Sequence, residues 1–144
     1  MQDSILSTTA TQRIYSQSGI TIGSLMGWPI VAGYLLSKNY TALVQNKKAG
    51  KTWLLCIATF VLLVTLASVL PQQVPNASFV FANAALGYYM TQSLQGKLID
   101  AHIVSGGLVY SNWRCAGIAL IFTVILVVLA LGDFYAMDLY TGRL

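Results

Sequence analysis

His102 is the only histidine in the chain, and Asp100 stands two residues before it. General acid–base work needs a partner within hydrogen-bond reach. Residues two apart do not share a helical face, so this pair lacks that geometry. A metal site wants three or four ligands, which one histidine and one carboxylate do not supply. Cys56 and Cys115 lie far apart in the sequence, without the CxxC spacing of a redox pair. They read as free thiols filling small apolar gaps. KAGKT, Lys48 to Thr52, ends like a phosphate loop, but the position that should hold that pattern's first glycine is Gln45. Asn76-Ala77-Ser78 matches a glycosylation acceptor beside an apolar segment. This set predicts no catalytic residue, no metal and no cofactor.

The remaining polar groups are neutral. Asn83, Gly87, Thr91 and Gln95 recur at intervals of four, with Tyr88 and Gln92 flanking them. That stripe should face protein or water rather than lipid. It either hydrogen-bonds to neighbouring helices, at about 0.6 kcal/mol per bond, or lines a cavity. No Asp, Glu, Lys, Arg or His falls in the middle of an apolar run. Ion-coupled transporters and proton relays normally keep such a residue there.

A second pattern concerns packing. Gly19, Gly23 and Gly27 are four apart, Pro29 follows two residues later, and Gly33 comes after it. A missing Cβ lets another backbone approach closely, so dispersion and weak Cα–H···O contacts hold the helices together. Pro29 withholds an N–H from the Leu25 carbonyl and predicts a kink there. The expected neighbour is the segment carrying Asn83 and Gly87, with Tyr88 or Asn83 donating toward the freed carbonyl. The competing arrangement pairs the ridge with the same ridge of a second copy.

These residues need elements to position them, and composition says which. The 144 residues are 56% hydrophobic and 8% charged, about a third of the charge of an ordinary soluble domain. Mean hydropathy is +0.68. The expectation is an all-α, polytopic membrane protein: a four-transmembrane-helix bundle in a single membrane domain, residues 1–144. The spans are read at about 16–36, 52–70, 78–95 and 113–131. The third is the least apolar and continues toward Gly106-Gly107, a plausible C-cap. Ser111 or Asn112 can cap the fourth helix. The polar start, with Asp3 in place of a basic region, does not read as a signal peptide.

The loops orient the bundle. Residues 37–51 hold Lys38, Lys47, Lys48 and Lys51, and residues 96–112 with the next two positions add Lys97 and Arg114. The connection PQQVPNA holds no charge, and the two tails carry only Arg13 and Arg143. By the positive-inside rule 37–51 and 96–112 are cytoplasmic loops, and both the N-terminus and the C-terminus lie outside. Trp53, Trp113 and Arg114 then sit at the cytoplasmic interface. Eight scattered basic residues are too few for a nucleic-acid patch.

The run GSLMGWPIVAGYLLSKNY, joined later to QG…AH…GG…SNWRCAGI, resembles a pattern in small bacterial membrane proteins. In those a Gly-Pro-small-Gly helix ends at a Leu-Leu-x-x-Asn boundary, and a Ser-x-Trp-Arg element opens the last helix. That group has no agreed activity, so the resemblance carries over no catalytic residue. It implies a bacterial inner membrane. The functional expectation is non-enzymatic: a small accessory protein working by helix–helix interaction with another membrane protein or as a homo-oligomer. Immunity against a membrane-active toxin is one concrete form. The alternative is a small oligomeric channel or uncoupled carrier lined by the Asn83–Gln95 stripe.

Overall fold

The structure is a computed structural model that describes residues 12–69 and 76–141. The uncharged connection with Pro71, the start of the chain and Arg143 lie outside the described residues. Four helices follow in order: α1 (Gln17–Ala42), α2 (Asn46–Val69), α3 (Asn76–Val104) and α4 (Asn112–Thr141). By length and composition α1, α2 and α4 are long and apolar enough to cross a membrane. The reading of an all-helical membrane protein therefore holds.

The reading of the first span as one kinked crossing does not hold. Gly27 and Trp28 leave helical geometry, with Trp28 at φ 64°, ψ 177°. Extended ψ before a proline is what the Pro29 ring enforces, because its Cδ clashes with a helical predecessor. The positive φ is unusual for a bulky residue and costs about 1–3 kcal/mol. Trp28 packs edge-on to Phe60 of α2, with ring centroids 6.1 Å apart. Pro29 then occupies the first turn of a new helical arm, where its missing N–H has no helical partner to lose.

The reversal is nearly complete. Tyr15 N–H donates to Asn39 Oδ1 at 2.7 Å, and Asn39 Nδ2 donates to the Tyr15 carbonyl at 2.9 Å. In one straight helix residues 24 positions apart would stand about 36 Å apart. Thus α1 is a helical hairpin. Its first arm (17–26) is about 15 Å long at 1.5 Å per residue, and its return arm (29–42) runs back to the same end.

The hairpin is the core of the molecule. The long helices α2, α3 and α4 each pack on α1 rather than extensively on one another. Buried Ile20, Val31, Leu35 and Leu36 lie on its two arms. A tight turn, Leu43 to Gln45, joins the return arm to α2 and is closed by Gln45 N–H on the Tyr40 carbonyl at 2.7 Å. The expected loop 37–51 is therefore mostly helix. Likewise α3 runs through to Val104, and Gly106 at φ 78° ends it as expected. Ser111 Oγ accepts from Trp113 N–H and caps α4, also as expected.

One further pairing places the start of the chain. Ile14 N–H donates to the Leu108 carbonyl, and Tyr110 N–H donates to the Ile14 carbonyl. The segment entering α1 thus lies at the same end as 43–45 and 105–111. An N-terminal segment at the opposite end from the two basic loops, expected from counting spans, is contradicted at residue 14. The miscount came from treating α1 as one crossing.

Candidate functional site

Three groups of residues meet around the hairpin. The first is its glycine ridge. A Cβ at Gly19 would fall 2.7 Å from Cys115 Sγ, and one at Gly27 would lie 3.2 Å from Ala119 Cα, both on α4. At Gly23 it would fall 2.9 Å from Leu35 Cδ1 and 3.3 Å from Val31 Cγ1, both on the return arm. A Cβ at Gly33 would strike Cys56 of α2, and one at Gly87 of α3 would strike Ser24. Every predicted glycine is thus a contact point within this chain, but the ridge faces α4 and the return arm rather than α3. The open carbonyl at the reversal is Met26's, and Thr123 of α4 serves it, with Oγ1 2.8 Å away.

The second group is the polar stripe. Asn83, Thr91 and Gln95 are buried. Gln95 Nε2 donates to the Leu36 carbonyl at 2.7 Å, and Tyr40 Oη donates to the Leu94 carbonyl at 2.7 Å. Thr91 Oγ1 returns to the Gly87 carbonyl of its own helix. The stripe continues two turns further to buried His102, whose Nε2 lies 3.2 Å from the Leu108 carbonyl under Gly107. His102 therefore packs the end of α3. Tyr88 and Gln92 depart from the expectation, because both are exposed, Tyr88 at 53%. Tyr88 stands beside Gln17, Thr21 and Ile22 of the first arm, and the carbonyl at the reversal is served by Thr123 instead. The face of α3 that meets the hairpin is the i, i+4 line with Met90 and Leu94 beside it, and Tyr88 and Gln92 fall outside that face.

The third group was not anticipated as a site. A pocket of about 400 Å³ opens at the base of the hairpin, with Arg13, Tyr15, Tyr34, Lys38, Tyr110 and Arg114 in its wall. Arg114 stacks over Tyr110, with Cζ 4.3 Å from the ring centroid. Tyr110 in turn lies 4.7 Å from the Tyr15 ring. Lys38 sits over Tyr34 at 5.6 Å. Burial, ahead of the opposing pull of Arg114, holds the Tyr15 phenol above its ordinary pKa. It therefore keeps its proton, and can donate, across the neutral range. Arg13, Lys38 and Arg114 are spread over a hundred positions of sequence. Only the hairpin and the Ile14–Tyr110 pairing bring them together, and no local motif signals that.

Other predicted positions resolve simply. Trp113 is 86% exposed beside this pocket's Arg114. Trp53 is half-buried and packs edge-on to Tyr34, centroids 6.4 Å apart, so it belongs to the hairpin packing. Cys56 and Cys115 are both free and buried. Among the described residues, no three His, Cys, Asp or Glu side chains converge as a metal site would require. No family model, curated protein or solved structure matches the chain.

Proposed function

We propose that this is a non-enzymatic accessory protein of a bacterial inner membrane that works by seating a helix of another membrane protein. The observation that carries this reading is the shape above the hairpin tip. The first arm is about 15 Å long, half the depth of a hydrocarbon core. Past Trp28 the long helices lose their common partner. There an apolar cleft of about 510 Å³ opens between α2 and α4, with Trp28 and Phe60 beside Val64, Leu126 and Val127, and Asp133 in its wall. In lipid, association rests on close packing rather than on a hydrophobic drive. A shaped cleft suits a complementary helix better than it suits mobile acyl chains. Asp133 favours a partner with a basic or hydrogen-donating residue at that depth. A membrane-active toxin bound by its immunity protein would be one such partner.

In the topology that accompanies this reading, α2, α3 and α4 cross the bilayer and α1 enters from and returns to the cytoplasmic side. Arg13, Lys38, Lys47, Lys48, Lys51, Lys97 and Arg114 all fall at the hairpin's open end, so the positive-inside rule supports it more strongly than four crossings would. The N-terminal segment is then inside and the C-terminus outside. The channel alternative has less support, because Gln95 Nε2 and Thr91 Oγ1 bond to backbone carbonyls.

Site-specific photo-crosslinking in cells tests the partner. A probe at Val127, in the cleft, should give one discrete heteromeric adduct. A probe at Leu62, exposed but not part of the cleft wall, should not. Adducts of equal yield from both positions, or a homodimer alone, would refute a heteromeric partner in the cleft.

A further inference from the structure

We infer that the pocket at the base of the hairpin is a binding site for the phosphate group of an anionic phospholipid. Three cations on three different segments surround one cavity: Arg13 before α1, Lys38 on the return arm and Arg114 in the first turn of α4. Among the described residues, no Asp or Glu is in its wall. Like charges gathered in this way repel one another, and an anion between them offsets that repulsion. Two helix N-termini add to the field. Ser16, the N-cap of α1, donates to Asn112 Oδ1 at the start of α4 at 3.1 Å. Neither helix has an acidic residue in its first turn, so no carboxylate there offsets the positive end of either dipole.

The remaining wall fits a headgroup. Tyr15, Tyr34 and Tyr110 present rings with polar tips, the chemistry favoured at the membrane–water interface. Exposed Trp113 next to Arg114 marks the same depth. Basic pockets between helices on the cytoplasmic side are the recognised setting for anionic lipid headgroups. A volume of about 400 Å³ is within the range of small-ligand sites. The Arg114 guanidinium, held over Tyr110, can grip a phosphate with two parallel N–H groups, and Lys38 serves as a point charge. This site is at the opposite end of the hairpin from the apolar cleft, so either proposal can fail alone.

The test uses the full chain in nanodiscs of phosphatidylcholine, titrated with short-chain phosphatidylglycerol and followed by native mass spectrometry. Wild-type protein should retain phosphatidylglycerol at least tenfold over phosphatidylcholine. Arg114→Gln combined with Lys38→Gln should lose that preference by about tenfold or more, at roughly fivefold per cation. Arg114→Lys keeps the charge but loses the paired N–H groups, so it should retain only part of the preference, and thermal melts equal to wild type for all these variants separate binding from folding. Lys47→Gln with Lys48→Gln and Lys51→Gln leaves the pocket intact and should change retention less than twofold. An equal loss in that triple variant would overturn the pocket in favour of general surface charge. Inorganic phosphate supplies the other arm. If it binds in pure phosphatidylcholine at sub-millimolar concentration and displaces phosphatidylglycerol, the ligand is a soluble phosphate and the lipid assignment is overturned.

Discussion

The side chain of Asn39 closes both backbone hydrogen bonds of Tyr15, accepting from its N–H at 2.7 Å and donating to its carbonyl at 2.9 Å. A primary amide does both at once through two separate atoms, Oδ1 accepting and Nδ2 donating. The clasp holds the open end of the hairpin. It aligns Ile14 with the 108–110 segment, and it brings Arg13 to the side of Lys38.

Asn39→Leu should therefore be among the most damaging substitutions in the chain. It leaves a buried N–H and a buried carbonyl without partners, each costing about 1–3 kcal/mol. Asn39→Asp keeps the acceptor but loses the donor and buries a charge. Both variants should melt well below wild type in detergent. The readout is built in, because Cys56 and Cys115 are buried thiols that react with a fluorogenic maleimide only once the helices separate. A melting point for Asn39→Leu within two degrees of wild type would contradict the clasp.

The glycines divide into two sets with opposite expected behaviour. A Cβ at Gly87 would run into Ser24, whereas one at Gly117 meets nothing within 4 Å. Gly87→Ala should thus push α3 off the hairpin and cost about 1–3 kcal/mol, the usual range for overpacking. Gly117→Ala should stabilise by up to about 1 kcal/mol through helix propensity. Because the clash is with a specific side chain, Ser24→Gly in the Gly87→Ala background should recover part of the loss. Absence of any recovery in the thiol-reactivity melt would mean the two helices are not in contact there.

These contrasts bear on what the sequence could and could not disclose. Helix ends were readable because they carry local chemistry, as at Gly106 and Ser111. The face that α3 buries was readable because Asn83, Gly87, Thr91 and Gln95 repeat at the helical period. The hairpin was not, because hydropathy sees 17–42 as one apolar stretch and cannot tell a crossing from a reversal. The clue was Gly27-Trp28-Pro29: proline disfavours helix at the residue before it, and both a kink and a full turn accommodate that. Trp28 combines a positive φ with packing against Phe60, and no residue type announces either. The basic pocket was illegible for the same reason, since its cations meet only after the chain folds back.

Sidedness gives a direct check on the reversal. Single cysteines at Gln12, Val44 and Tyr140 should label with a membrane-impermeant maleimide from two sides only. Gln12→Cys and Val44→Cys should react together on the cytoplasmic side, and Tyr140→Cys on the other. Val44 and Tyr140 are exposed at 74% and 94%, so access does not limit the reaction. Buried Cys56 and Cys115 keep the background low. Labelling of Gln12→Cys from the same side as Tyr140→Cys would restore α1 as a full crossing and remove the basis for the hairpin.

Asn83 separates the accessory reading from the channel reading. Its Oδ1 is buried without a hydrogen-bond partner among the described residues, as is Gln95 Oε1. A buried acceptor left unmade is a cost to the fold, and replacing it with an apolar group of similar size removes that cost. Asn83→Leu should therefore be neutral or stabilising, by about 1 kcal/mol at most. It should also leave partner crosslinking from Val127 intact. A channel makes the reverse demand, because a polar group on the path is kept at a cost to stability for the sake of function. Liposome flux measured on wild type and Asn83→Leu decides between them. Flux that is present in wild type and lost in a well-folded Asn83→Leu variant would favour the channel. No flux in either, with a melting point equal to or above wild type, would leave Asn83 as a tolerated imperfection in the packing of α3 on the hairpin.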